Sequence, residues 1–190
     1  MIENRQILVG LGGNIASPYG EPKVTLCKAV AALEAAGLAN IEVSAVYQTA
    51  PVPATGQPDF INIALQAETE FSPGQLLALF QKTEKAFGRQ PAERWAARTL
   101  DIDLLACGDM VLPGRSVWFE LVSNSDPAAI LQQPVVPHPR LHKRAFVLCP
   151  LQDIAPTWCH PCLDQTVQEM SSMSFIKDQY SSVRKISDKL

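Results

Sequence analysis

The segment Phe60-Ile61-Asn62-Ile63-Ala64-Leu65, running on to Thr69 and followed at once by Ser72-Pro73, sets the architecture of this chain. Its apolar and β-branched residues read as a strand. Serine then proline supply a helix N-cap and a first helical position. Leu76, Leu77, Phe80, Thr83, Glu84 and Phe87 carry that helix as far as Gly88. Toward the N-terminus, Gln6-Ile7-Leu8-Val9-Gly10-Leu11 reads as a first strand. Val24, Cys27, Val30, Ala31 and Leu33 then recur at helical spacing up to Gly37, and residues 41–47 alternate as a second strand. Toward the C-terminus, residues 99–106 alternate strongly and read as a fourth strand. The order β-α-β-β-α-β, with helices set between strands that can form one antiparallel sheet, is the ferredoxin-like, split βαβ pattern of an α+β fold. Beyond it we expect C-terminal helical elements: a short apolar one starting at Phe146-Val147-Leu148, and a final helix over residues 163–173. Residues 108–137 read as irregular. The domain is expected to span residues 1–173, with 174–190 a polar tail, helical at most.

A length of 190 residues suits a single domain, and 47% hydrophobic residues suffice for a sizeable core. Sixteen Lys and Arg against nineteen Asp and Glu leave a net charge of −3, which argues against nucleic acid or an anionic membrane as partner. Five scattered cysteines, an odd number, suggest reduced thiols. The first apolar run is shorter than a signal-peptide core, and no stretch approaches the ~18 apolar residues of a membrane span. A cytoplasmic location is therefore expected; oligomeric state is left open.

The chemistry concentrates in Arg98-Thr99-Leu100-Asp101-Ile102-Asp103-Leu104-Leu105. On a strand, Leu100, Ile102 and Leu104 face one side while Asp101 and Asp103 face the other, ~6–7 Å apart. Two carboxylates side by side suit Mg²⁺, whose remaining positions go to phosphate oxygens and water. A bare D-x-D is more often a solvated strand face, and the preceding segment shifts that balance. Between Lys82 and Arg98 lie five basic residues (Lys82, Lys85, Arg89, Arg94, Arg98) against two acidic ones (Glu84, Glu93), a local +3. Arginine's planar fork pairs with phosphate oxygens in two places at once. Together they describe a site for polyphosphate and a divalent cation. A second basic set, His138, Arg140, His142, Lys143 and Arg144, is placed to meet the same phosphates. Asn62, which both donates and accepts, suits the amide-like edge of a planar heterocycle, and Phe60, Trp95 and Phe146 are candidates to stack on it. No P-loop signature occurs, and Gly10-Leu11-Gly12-Gly13-Asn14 fails the dinucleotide-loop spacing. Cys159-His160-Pro161-Cys162 is a lone C-x-x-C without the further ligands of a zinc site.

Taken in order, Leu11-Gly12-Gly13-Asn14, Thr49-Ala50-Pro51, Gln57-Pro58-Asp59-Phe60-Ile61-Asn62, Gly88-Arg89, Arg94-Trp95-Ala96-Ala97-Arg98-Thr99-Leu100-Asp101-Ile102-Asp103 and Pro137-His138-Pro139-Arg140-Leu141 resemble the 6-hydroxymethyl-7,8-dihydropterin pyrophosphokinase family of folate biosynthesis. The resemblance implies a Mg²⁺-dependent diphosphotransferase that moves pyrophosphate from ATP to the hydroxymethyl group of the dihydropterin and releases AMP. It implies two Mg²⁺ ions on Asp101 and Asp103, with Arg89 and Arg98 on a mobile catalytic loop. It puts Gln81, Glu84, Arg94, Trp95, Ile102, His138 and Arg144 at the ATP, and Thr49, Pro51, Val52, Phe60, Asn62 and Phe146 around the pterin. The alternative is a pterin- or nucleotide-binding relative with weak or no catalysis. Three departures stand out. Gly13 replaces the serine of the family's G-S-N, which would remove a hydroxyl and loosen the turn. Pro91 replaces a second arginine, leaving that loop less cationic and stiffer. Ala96-Ala97 replaces glycine-proline in R-W-G-P-R. The stretch between Asp103 and His138 is also longer than compact members need.

Overall fold

The computed structural model describes residues 4–51, 56–90, 96–123 and 134–190. In chain order these form β1 (Arg5–Gly13), α1 (Pro22–Ala35), β2 (Ala39–Val43), β3 (Val46–Thr49), β4 (Phe60–Thr69), α2 (Pro73–Ala86) and β5 (Asp101–Cys107). There follow α3 (Arg115–Ser123), α4 (Ala145–Ile154), β6 (Cys159–His160), β7 (Gln165–Thr166), α5 (Val167–Ser171), α6 (Ser174–Lys177) and β8 (Val183–Ser187). The main sheet runs β5-β1-β4-β3-β8, with β2 also paired to β4, and every pairing in it is antiparallel. This is the expected ferredoxin-like α+β arrangement.

Alternation along the strands builds three layers. Ile7, Val9 and Leu11 of β1, Ile63, Leu65 and Ala67 of β4, and Ile102 and Leu104 of β5 face one way, where they join Leu26, Leu33, Leu76 and Phe80 of α1 and α2 in one buried cluster. Leu8, Ala64 and Leu105 face the other way and pack with Leu148 and Leu151 of α4, with Val167 and Met170 of α5. The helix α2 starts where the sequence places it. Ser72 Oγ accepts from the Gln75 N–H while Gln75 Oε1 accepts from the Ser72 N–H, a reciprocal capping box, with Pro73 at the first position.

Four local expectations are corrected. The single strand over residues 41–47 breaks at Ser44-Ala45 into β2 and β3. Ser44 Oγ accepts the Ala64 N–H, and the Ala45 N–H turns to Asp153 Oδ2, so side chains replace two rungs of the ladder. Residues 108–137 are not wholly irregular, because α3 folds around the fully buried Trp118. The helix over 163–173 begins only at Val167, after the β6–β7 hairpin, where Thr166 and Glu169 form a second capping box. Residues 174–190 are not a loose polar tail: Ile176 is buried and β8 pairs with β3.

Candidate active site

The site begins with how α2 ends. Gly88 lies at φ +86°, its N–H bonds Lys85 O, and the Arg89 N–H returns to Glu84 O at 3.0 Å. This paired closure, which needs a left-handed residue after the helix, folds Arg89 back over the last turn. There its guanidinium bonds the Glu84 carboxylate and also Asp101 Oδ1 at 2.7 Å. Arg98 reaches the same Asp101 Oδ1, also at 2.7 Å. Glu84 is buried and takes the Ile102 N–H on Oε1 at 2.7 Å, which ties the helix end to β5. The two arginines and two of the acids expected at the site therefore form one network.

The carboxylates sit on the sheet face opposite α1 and α2. Asp101 stands across from Gly12 and Asp103 across from Gly10, and on the other flank of β1 the same glycines face Asn62 and Ala64. Asn62, Gly12 and Asp101 thus form one row across three strands. The side chain of Asn62 donates to Thr49 Oγ1 at 2.8 Å, and both residues are buried. A Cβ on Gly12 would stand 2.6 Å from Asn62 Oδ1, so only glycine leaves the ground between amide and carboxylate bare.

Gly13 corrects the expectation of a loosened turn. A Cβ there would stand 2.4 Å from Thr99 O, so the missing side chain lets the end of β1 close tightly on the backbone that leads from Arg98 into β5. Sequence reasoning passed over the next residue, Asn14. It is buried, donates to Gln57 Oε1 at 3.2 Å and Pro58 O at 3.1 Å, and accepts the Arg98 N–H at 2.8 Å. One amide side chain therefore ties the segment before Phe60 to the arginine at Asp101.

From the far side, the segment before α4 supplies cations. The His138 N–H bonds Leu105 O, and its Nδ1 accepts the Arg140 N–H at 3.1 Å, which leaves the ring proton of the neutral imidazole on Nε2. Burial, with Arg144 and Arg140 beside it, pushes the His138 pKa down to about 3. Arg144 lies over the Phe146 ring at 5.4 Å. Burial lowers its pKa, while nearby Asp103 draws it back up. Asp101 is raised by burial and by Asp103 beside it, against the pull of Arg98 and Arg89. Burial raises Glu84 to about 7 despite the Ile102 N–H and Arg89.

Of the remaining expected residues, Gln81 is exposed one turn before Glu84, and Pro51 and Phe60 are half-buried at the Thr49–Asn62 end. Ile102 differs: its side chain lies in the core between sheet and helices and is not on the carboxylate face. Strand alternation requires this, since its neighbours Asp101 and Asp103 take the other side. Val52, Arg94 and Trp95 lie outside the described residues. Among the described residues no three or more His, Cys, Asp or Glu side chains stand close enough to hold a metal ion unaided. No helix among them is long and apolar enough to cross a membrane.

Fold and site define a ferredoxin-like α+β protein with two carboxylates and converging arginines at one end of its sheet. The sequence model for 7,8-dihydro-6-hydroxymethylpterin-pyrophosphokinase matches residues 8–156, and the chain belongs to that family. It is 34% identical over 152 residues to the 2-amino-4-hydroxy-6-hydroxymethyldihydropteridine pyrophosphokinase of Bacillus subtilis (strain 168), covering 80% of this chain and 78% of that protein. It is 30% identical over 172 residues to the Haemophilus influenzae protein of the same name, covering 89% and 95%. Among solved structures, wild-type Plasmodium falciparum HPPK-DHPS superposes with a TM-score of 0.63 at 15% identity. That match covers 98% of this chain and spans about half, 47%, of the Plasmodium chain.

Proposed function

We propose that this protein transfers pyrophosphate from ATP to the hydroxymethyl group of 6-hydroxymethyl-7,8-dihydropterin, releasing AMP, in folate biosynthesis. The observation that supports this reading is the Asn62–Gly12–Asp101 row, in which a buried amide, able to donate and accept as a heterocycle's edge requires, stands one bare strand away from the carboxylates. In the reaction the pterin hydroxymethyl oxygen bonds to the β-phosphorus of ATP, the bond from that phosphorus to the α,β-bridging oxygen breaks, and AMP leaves with the electron pair. The hydroxyl proton passes to water.

Thr49 and Asn62, with Pro51, Val52, Phe60 and Phe146, would hold the pterin with its hydroxymethyl group toward Asp101. His138 Nε2 and the Arg144 guanidinium would donate to the polyphosphate, with Gln81, Glu84, Arg94, Trp95 and the backbone of Ile102 at the nucleotide. Arg89 and Arg98, which here neutralise Asp101, would exchange that carboxylate for phosphate oxygens as ATP arrives. The donor set fits Mg²⁺: hard oxygens on alternate residues of one strand face, with glycines opposite both and too few protein ligands to close a cage. Asp101 and Asp103 would hold two such ions, whose charge offsets that developing on the transferred group. Closure of arginines over the site excludes water and favours transfer over hydrolysis.

The test is product analysis. Purified protein with Mg²⁺, ATP and the dihydropterin should yield AMP and the pterin diphosphate in equal amounts. Formation of ADP, or ATP left intact, would contradict the reading.

A further inference from the structure

The segment carrying His138, Arg140 and Arg144 is gripped residue by residue. Leu112 and Val136 exchange backbone hydrogen bonds at 2.7 and 3.3 Å, and the His138 N–H bonds Leu105 O at 2.8 Å. Between them Pro137 has no N–H to give, so its carbonyl is the one main-chain group left to fix it. That carbonyl accepts from the indole Nε1 of Trp118, at 2.7 Å and fully buried. Helix α3, which bears Trp118, is anchored on its other flank. Arg115 donates to Pro161 O at 2.8 Å and Cys162 O at 3.0 Å, and the Trp118 ring meets His160 edge-on with centroids 5.0 Å apart. The helix is thus a strut between the β6–β7 hairpin and the peptide just before His138. On the pterin side, Thr49 and Asn62 sit on β3 and β4, held by each other and by the sheet, and Phe146 sits on α4, whose Leu148 and Leu151 are packed against that sheet independently of Trp118.

We propose that Trp118 is a positioning residue: through the Pro137 carbonyl it fixes where His138 and Arg144 meet the polyphosphate, and so sets affinity for ATP and not for the pterin. This rests on the functional reading above, which places those two residues at the nucleotide. Loss of the indole N–H leaves a buried carbonyl unpaired, and the segment can regain a partner only by moving toward water. Such a shift displaces the phosphate donors from the geometry that binding requires.

The experiment compares the full-length protein with Trp118→Phe, which keeps an aromatic ring and removes the donor. Arg115→Met, at an exposed position, loosens the far anchor of the strut. AMP release is followed with each substrate varied in turn. Trp118→Phe should raise the KM for ATP about five- to tenfold and Arg115→Met about two- to threefold, with the pterin KM and kcat moving less than about twofold. Equal rises in both KM values, or an unchanged ATP KM beside a lowered unfolding midpoint, would overturn the proposal. If Trp118→Phe does not fold, the same split in Arg115→Met decides. A wild-type protein that releases no AMP defeats the functional reading. Calorimetry with Mg-ATP then tests the strut alone: weaker binding in the variants supports it, and equal binding overturns it.

Discussion

The two faces of the main sheet are built from the same strands and behave as different materials. On the α1–α2 side, alternate residues of β1, β4 and β5 are Ile7, Val9, Leu11, Ile63, Leu65, Ile102 and Leu104, all buried in one apolar cluster. On the other side the intervening positions run Leu8, Gly10, Gly12 on β1, Asn62 and Ala64 on β4, and Asp101 and Asp103 on β5. Half of that face is sealed by α4, and the other half is left to glycine, amide and carboxylate. Stability is concentrated where volume is filled, and the proposed chemistry lies where side chains are withheld. The two can then be perturbed separately.

The largest separation should come from the carboxylates. Asp103→Ala should lower AMP release by at least about 1,000-fold, because charge held at a reacting polyphosphate is worth more than any other single contact. Its unfolding midpoint should stay within a few degrees of wild type. On the sealed face, Leu65→Ala should cost about 2–5 kcal/mol in denaturant unfolding while activity well below the midpoint stays within about twofold. Loss of activity ahead of stability there would break the comparison.

Gly12→Ala tests the border between amide and carboxylate. The added methyl would lie 2.6 Å from Asn62 Oδ1, and the KM for the pterin should rise by about tenfold. The smallest effect is on the pH dependence of stability. Glu84 rises from an ordinary 4.5 to about 7 in the folded state, through burial. The folded protein therefore holds a proton there that the unfolded chain has released, and stability falls as pH rises from 4.5 to 7. His160 works in reverse: burial, then His142 beside it, takes it down to about 4, with Arg115 adding to this and Asp164 opposing. Stability therefore falls as pH drops from 6.5 toward 4. Urea midpoints across pH should lose the first slope in Glu84→Gln and the second in His160→Gln.

Much of this organisation was legible in the sequence where a local pattern has a single physical outcome. Ser72-Pro73 announced a capped helix, and the i, i+2 spacing of Asp101 and Asp103 put both on one face. What was illegible depended on partners distant in the chain. Nothing near Ser44 says that Asp153, more than a hundred residues away, takes the next N–H, and so the break between β2 and β3 could not be foreseen. The same holds for β8, whose Val183–Ser187 looks like surface polymer until β3 offers its edge. Gly13 was misread because glycine was taken for freedom, when here it permits close approach to Thr99. Asn14 drew notice only as part of a motif and is a clamp with three side-chain hydrogen bonds.

The claim that the unfilled face carries the reaction is tested most directly by AMP release as Mg²⁺ is titrated, in wild type and in Asp101→Asn and Asp103→Asn, which keep shape and remove charge. Wild type should rise to a plateau and fall to background when Mg²⁺ is chelated, and both variants should stay near background while remaining folded. A chelator-insensitive rate, or asparagine variants as active as wild type, would contradict it.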